Sequence, residues 1–445
     1  MIIESKLKFG SPLYGTAPKS YLLRLDPIQN KGLRLCLGAF QSSPAKSLEV
    51  EAYEPSLKLK RQLDQMNYYA RLKQLPNSIM PFNVDDQSLD GEYSRQSNKK
   101  PKTFGFIVRM LMRQYNILLP QIEELKSNPQ GPWEIIKLKV CYDLAKYPKA
   151  NTSPEEYLQY FGEHKHEADV ELYTDGSKSP QGVGAAAAIL IQGERTKFRQ
   201  IHLHNMASVY TAELTAINAA LKALSSGTYN CNCVIYTDSR SALQALESLS
   251  PCQLADTIKQ QVSNLAGNGN NITFCWVPGH AGISGNELAD YKAKAAVSDL
   301  PLNANVKIPV ADIKSALKAK IYQDRWNEEW SNPNIYIKMR EICPVIRRPM
   351  KLTLSRQDQI KITRLRIGHT KLTHSHYFEG AQQPICGPCN SSITVEHLLL
   401  RCRNYEEVRE RYFEADTTLN GIFNNEENVL KLLEFIKELN LYKEI

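Results

Sequence analysis

"DVELYTDGSKSPQGVGAAAAILIQGERTKFRQIHL", residues 169–203, is the stretch that decides the fold. "DVELYTDG" is an apolar run ending on an acid, and "GVGAAAAILI" and "TKFRQIHL" follow at strand length after polar breaks. Together they predict a three-strand meander. Downstream the period changes. "ASVYTAELTAINAALKALSSG" carries its apolar residues at helical spacing and is expected to stop at Gly227. "NCVIYTD" reads as a strand, "SRSALQALESL" and "QLADTIKQQVSNLAG" as helices, and "ITFCWV" as another strand. "SGNELADYKAKAA" closes the segment as a helix that Ser284 is placed to cap. Strands first, then alternation with helices, imply one α/β domain over residues 166–299, a mixed five-stranded sheet with flanking helices.

The full chain of 445 residues is too long for one core, so further domains are expected on either side. From Pro18 to Leu75, leucines and tyrosines recur at helical spacing among many Lys and Arg, and Pro27, Pro44 and Pro55 cut the pattern into short helices. Residues 76–105 are polar and broken by Pro and Gly, and "YPKANTSPEEY" at 147–157 has the composition of a second linker. The expected organisation is a helical region with its linker over 1–150, the α/β domain, and a basic, mainly helical tail over 300–445. Between Lys338 and Lys371, ten Lys or Arg stand against two acids, Glu341 and Asp358.

An apolar content of 42% and a charged content of 23% exclude a disordered chain, and the net charge of +8 favours a polyanionic partner such as nucleic acid. Charges break the apolar start of "MIIESKLKFG", which excludes a secretory signal, and the apolar run at 182–191 is too short to cross a bilayer. The expectation is an intracellular protein, nuclear or cytoplasmic, without a membrane partner. Its ten cysteines then read as reduced thiols or metal ligands rather than a disulfide frame.

Asp175 and Asp238 each follow an apolar strand in nearly the same words, "LYTDGS" and "IYTDSR". Acids at strand C-termini of an α/β sheet sit where such folds place their ligands. Glu213 lies among small and apolar residues in "TAELTAIN", and Asp290 has similar neighbours after the glycine-rich loop of "WVPGHAGISGNELAD", 276–290. Four carboxylates on apolar surfaces repel one another unless a cation lies between them. Hard oxygen ligands select Mg²⁺ or Mn²⁺, and two such ions about 3.5–4 Å apart activate a water against a phosphodiester. Taken singly, Asp175 is a turn residue, Asp238 a helix N-cap, and Glu213 and Asp290 solvated positions. Taken jointly with His280 in the loop, they point to a metal site.

"ELYTDGS", "YTAELTAI", "IYTDSRSAL" and "WVPGHAGISGNELAD" resemble the four signature segments of type 1 ribonuclease H, in wording most similar to those of non-LTR retrotransposons. The resemblance covers about 130 residues. It implies a ribonuclease H-like sheet, a two-metal site on Asp175, Glu213, Asp238 and Asp290, and a loop histidine, His280, that helps product or proton leave. It implies in turn hydrolysis of the RNA strand of an RNA–DNA hybrid with Mg²⁺ or Mn²⁺. One departure stands out. Between Asp238 and Trp276 there is room for only two modest helices and no basic protrusion of the kind bacterial relatives use to grip the hybrid.

"LRLDPIQNKGLRLCLGAF" and "VEAYEPSLKLKRQL" resemble the thumb and connection that follow the palm of non-LTR retrotransposon reverse transcriptases, where basic helices contact phosphates. The paired Asp85 and Asp86 lie in a polar stretch and read as loop residues, so no polymerase site is expected. "CGPCNSSITVEHLLLRC" places Cys386, Cys389, His397 and Cys402 in a pattern that suits structural Zn²⁺ and resembles the Cys-Cys-His-Cys element following ribonuclease H in several insect-type retroelements. Cys231 and Cys233 carry no assigned role, and His164, His166, His202, His204, His374 and His376 pair at i, i+2 without acid or Cys partners and read as surface residues. The reading is a hybrid-cutting endonuclease derived from a retroelement. Its rivals are a non-catalytic nucleic-acid-binding relic and another nuclease or transposase on the same fold.

Overall fold

The computed structural model describes residues 2–75, 84–88, 90–95, 102–125, 137–191, 195–225, 230–248, 252–334 and 337–445. Two compact units are present: Ala70–Phe82 with Ile117–Ala316, and Met1–Tyr69 with Asn83–Asn116 and Leu317–Ile445.

The first unit is built on one sheet of β1 (Lys139–Cys141), β2 (Val170–Ser179), β3 (Gly182–Ile191), β4 (Arg195–Leu203), β5 (Asn232–Thr237) and β6 (Asn271–Trp276). Its order is β1-β6-β5-β2-β3-β4. The meander β2-β3-β4 is antiparallel, while β5 joins β2, β6 joins β5 and β1 joins β6 in parallel. Its helices are α1 (Pro154–His164), α2 (Val209–Leu224), α3 (Arg240–Glu247), α4 (Gln253–Gly267), α5 (Ser284–Asp299) and α6 (Val310–Ala319). The sheet is mixed and layered as the sequence pattern requires.

Both faces are covered, which is why β3, GVGAAAAILI, is apolar without interruption. On one face Leu172, Ile189, Ile235 and Phe274 pack against Leu214 and Ile217 of α2, Leu243 of α3 and Ile258 of α4. On the other, lower face Tyr173, Ala188, Val234, Tyr236 and Cys275 pack with Leu144, Ile283 and Ala289. The alanines of β3 keep its surface low, so that helices approach closely from both sides. Gly184 marks the limit: a Cβ there would stand 2.0 Å from the Ala293 carbonyl oxygen of α5.

Three expectations are corrected. The sheet has six strands rather than five, because Lys139–Cys141 adds a parallel edge strand upstream of the expected domain. Residues 147–157 are not a linker: Tyr147 stacks on Tyr160 at 3.9 Å, and Ser153 opens α1 in a capping box with Glu156. Ser284 does not cap α5. Ile283, buried in the lower face, takes the N-cap position and Ser284 is the first helical residue. Gly227 and half of the polar stretch 76–105 lie outside the described residues.

The second unit is mainly helical, with Asp26–Leu37, Ala45–Glu51, Leu57–Leu72, Phe104–Gln114, Arg356–Ile367 and Glu426–Glu438 among its helices. Pro27 lies in the first turn of one helix and Pro44 at the N-cap of the next, where the missing N–H costs nothing. Several basic residues counted in the tail are internal struts. Arg364 donates to the carbonyls of Gly38 and Ile445, both at 2.9 Å, and Arg366 pairs with Glu51 at 2.9 Å. Asp85 accepts from the Tyr69 hydroxyl and Asp86 from the Ser88 N–H at 2.9 Å, so both are turn residues.

Candidate active site

The repeated words "YTD" are a matter of register. Tyr173 faces Tyr236 and Thr174 faces Thr237 across the parallel pair β2–β5, which delivers Asp175 and Asp238 side by side at the same level. The two tyrosine rings stack at 4.8 Å, and the Thr174 hydroxyl donates to the Tyr236 carbonyl at 3.3 Å. Glu213 reaches the same place from α2, which crosses β2 so closely that a Cβ on Gly176 would lie 2.5 Å from the Glu213 backbone nitrogen. Only glycine permits that approach.

One carboxylate oxygen from each of Asp175, Glu213 and Asp238 lies within 4.8 Å of the other two. Asp175 is 7% exposed and Glu213 5%, which excludes a solvated role for either. Asp238 is not a cap: Ser239 holds that position on α3 and accepts from the Ala242 N–H. The Asp238 carbonyl accepts the Trp276 indole N–H at 3.0 Å, and Gly279 lies so close that a Cβ would meet an Asp238 oxygen at 2.3 Å.

The electrostatics follow from this crowding. Burial first, then the negative charges of Asp238 and Asp290, push the Asp175 carboxyl up to about 7. Burial, followed by Asp175 and Asp238, pushes Glu213 up to about 9. Glu213 Oε2 is buried with no hydrogen-bond partner in the protein. Natural proteins rarely leave such an atom unsatisfied. A divalent cation with oxygen preference satisfies the orphan atom and the mutual repulsion together, so the donor set fits Mg²⁺ or Mn²⁺.

Asp290 stands at the rim of this trio, near enough to act on Asp175 and Glu213 by charge, while its carboxylate is held by Lys294 at 2.6 Å. One of its oxygens also groups within 4.8 Å of His280 and Glu287. His280 is exposed on the loop, in a left-handed conformation at φ 53, with Nδ1 3.9 Å from Glu287. Two neighbours escaped sequence reading. Lys294 is one helical turn from Asp290, a spacing that could have revealed it. Glu287 shares the motif's own words but has no partner visible in them. A third, Asp312 of α6, is 9% exposed and accepts from the Ser208 N–H and the Thr211 hydroxyl, both at 2.7 Å, at the N-terminus of α2.

The predicted Cys-Cys-His-Cys set also converges, with one ligand atom from each of Cys386, Cys389, His397 and Cys402 within 4.8 Å of the others. A two-residue hairpin, Ile385–Cys386 paired with Ser391–Ser392, carries the first two cysteines. A π turn closed by the Cys402 N–H on the His397 carbonyl, 2.7 Å, presents the other two. Cys386 and Cys402 sulfurs are 3.8 Å apart. Ser391 holds His397 Nδ1 at 3.2 Å, while Nε2 is buried without a partner. The Arg403 N–H donates to the Cys389 sulfur at 3.3 Å and holds that thiol below its usual range. Burial pushes the Cys402 thiol up to about 11.

A mixed sheet in this order, with carboxylates meeting at the ends of its central strands, defines the ribonuclease H-like class of α/β domain. Residues 167–298 match the family described as RNase H. A ribonuclease H of Francisella tularensis subsp. novicida is 30% identical over 145 residues, 29% of this chain and 92% of that protein. One from Hahella chejuensis is 30% identical over 149 residues, covering 29% and 94%. The solved RNase H1 of Halobacterium salinarum aligns over 29% of this chain and 98% of its own at 19% identity, with a TM-score of 0.24. The chain belongs to the ribonuclease H family. Among the described residues no helix is long and apolar enough to cross a membrane.

Proposed function

We propose that this protein is an endonuclease that hydrolyses the RNA strand of RNA–DNA hybrids at the carboxylates of Asp175, Glu213, Asp238 and Asp290. The observation that carries the reading is the carboxylate trio, with Asp175 and Glu213 buried, Asp238 half-buried and a Glu213 oxygen unpartnered, inside the segment that matches the family. Divalent cations held there would activate a water and stabilise the leaving oxygen. The protein's own part is positioning. The β2–β5 register fixes Asp175 and Asp238 on rigid strands, and the Trp276 indole tethers the backbone of Asp238. His280, exposed beside Asp290 and Glu287, holds or passes a proton at the mouth of the site. RNA is told from DNA through 2′-hydroxyls in the shallow minor groove.

The tail cluster supports a structural Zn²⁺ site: four soft donors, a buried free imidazole nitrogen, and a backbone N–H that favours thiolate at Cys389. With the motif wording and the helices flanking the domain, it also supports descent from a retroelement polyprotein, with residues 1–150 as a thumb and connection remnant. An adjoining polymerase reading frame in genomic sequence tests that descent.

The function itself is tested with the full chain on a labelled hybrid in Mg²⁺ or Mn²⁺. The wild type is expected to cut the RNA and spare duplex DNA. Asp238→Asn keeps the side-chain shape, removes one ligand charge and is expected to abolish turnover while the fold survives. Unchanged cleavage by that variant sinks the site; a wild type that binds the hybrid without cutting makes the protein a binding relic.

A further inference from the structure

The extra edge strand brings one thiol beside another. Cys141 of β1 and Cys275 of β6 are register partners in a parallel pair, so their side chains leave the sheet on the same face. Cys275 is 4% exposed within the lower-face core, and Cys141 packs half-buried against the same core. His166, on the exposed connection between α1 and β2, lies over both: a ring nitrogen and the two sulfurs are within 4.8 Å of one another. The Asp143 carboxylate is 2.8 Å from the Cys141 sulfur and adds negative charge at the open side.

We propose that Cys141, Cys275 and His166 form a zinc site that clips β1 and the α1–β2 connection onto the sheet. Two thiols and an imidazole are soft donors, which select Zn²⁺ over the Mg²⁺ suited to the acid cluster. Bond lengths of about 2.3 Å to sulfur and 2.0–2.1 Å to nitrogen place tetrahedral ligands roughly 3.5–4 Å apart, a spacing these side chains reach by small rotations. The fourth position faces solvent, where Asp143 stands. The three ligands come from separate segments, so a bound ion cross-links them. A three-residue edge strand gains little from its own hydrogen bonds, and metal binding at a site absent from the unfolded chain becomes folding free energy.

The test uses full-length protein carrying Cys386→Ser and Cys389→Ser, which removes the tail cluster and leaves this one. After dialysis with zinc it is expected to hold about one Zn²⁺ per chain. Adding Cys141→Ser, nearly isosteric, or His166→Ala, at an exposed position, is expected to bring that to near zero. Co²⁺ in place of zinc is expected to give a thiolate charge-transfer band that disappears with Cys141→Ser. Three results overturn the proposal: no zinc in the tail variant, zinc unchanged after Cys141→Ser, or a Cys141–Cys275 disulfide in the unreduced protein by mass spectrometry.

Discussion

The acid cluster and the cysteine cluster bring side chains together by opposite means. Asp175, Glu213 and Asp238 are fixed by two neighbouring strands and a helix that touches them through Gly176. The strands and helix that carry them are packed through two apolar cores, and burial and repulsion push Asp175 and Glu213 toward their protonated forms. Cys386, Cys389, His397 and Cys402 hang on a two-residue hairpin and a single π turn. Val395 and Leu399 pack this segment, and Ser391 and the Arg403 N–H hold two of its side chains, but the elements are short, so a bound ion is expected to complete the site. One cluster is preorganised by the sheet; the other is proposed to be completed by the ion it binds.

That contrast can be broken most sharply through His280. On a preorganised site, a group at the mouth affects rate and not assembly, so His280→Ala is expected to slow hybrid cleavage by about 10²–10⁴-fold. Binding of the hybrid should hardly change, and residual Mn²⁺-supported cleavage should persist. Wild-type rates in single-turnover assays would remove the proton role. Complete loss together with weakened metal binding would make His280 a ligand.

An intermediate effect is expected in the tail. Cys389→Ser should lose about one zinc per chain, measured by elemental analysis, and increase amide exchange around 385–405. Hybrid cleavage should remain. A tail that keeps its protection without metal would show that its packing, and not the ion, organises it.

The smallest effect is a pH slope in chelator-treated protein. Asp175 and Glu213 have folded values near 7 and 9, above those of the unfolded chain, so between pH 5 and those values the folded state binds more protons. Stability therefore falls as pH rises, and the thermal midpoint is expected to be lower at pH 8 than at pH 5.5. Mg²⁺ should recover most of the loss at pH 8. A midpoint that rises with pH would mean the acids are not mutually strained.

How much of this was visible in the sequence depends on distance along the chain. The strands of the meander and the helix around Glu213 were legible because burial imposes period and apolarity over many consecutive residues. The cysteine set was legible because its ligands are close in sequence. Asp175 and Asp238 were legible from strand ends and Glu213 and Asp290 from small and apolar neighbours on helices, and only jointly did they point to a site; how they meet depends on the β2–β5 register. Where a partner is remote and the segment short, the signal vanishes. Lys139–Cys141 is too brief to show a period, and the stacked Tyr147 and Tyr160 anchor a stretch whose Pro, Ser and Asn look like a linker. His166 seemed alone because its sulfur neighbours lie on β1 and β6.

Asp312 shows that the family's sequence boundary is not the boundary of the machine. The matched segment ends at 298, yet this acid caps the helix that carries Glu213, holding the Ser208 N–H and the Thr211 hydroxyl at 2.7 Å each. Its charge also lies at the positive end of that helix. Cutting the chain to residues 167–298 would delete that clamp, and with it β1 and the tyrosines of 147–160 that seal the lower face. Such a fragment would keep every signature motif and lose the braces that aim one of the four acids. Sequence beyond the matched segment thus serves as internal scaffolding for the helix that carries Glu213.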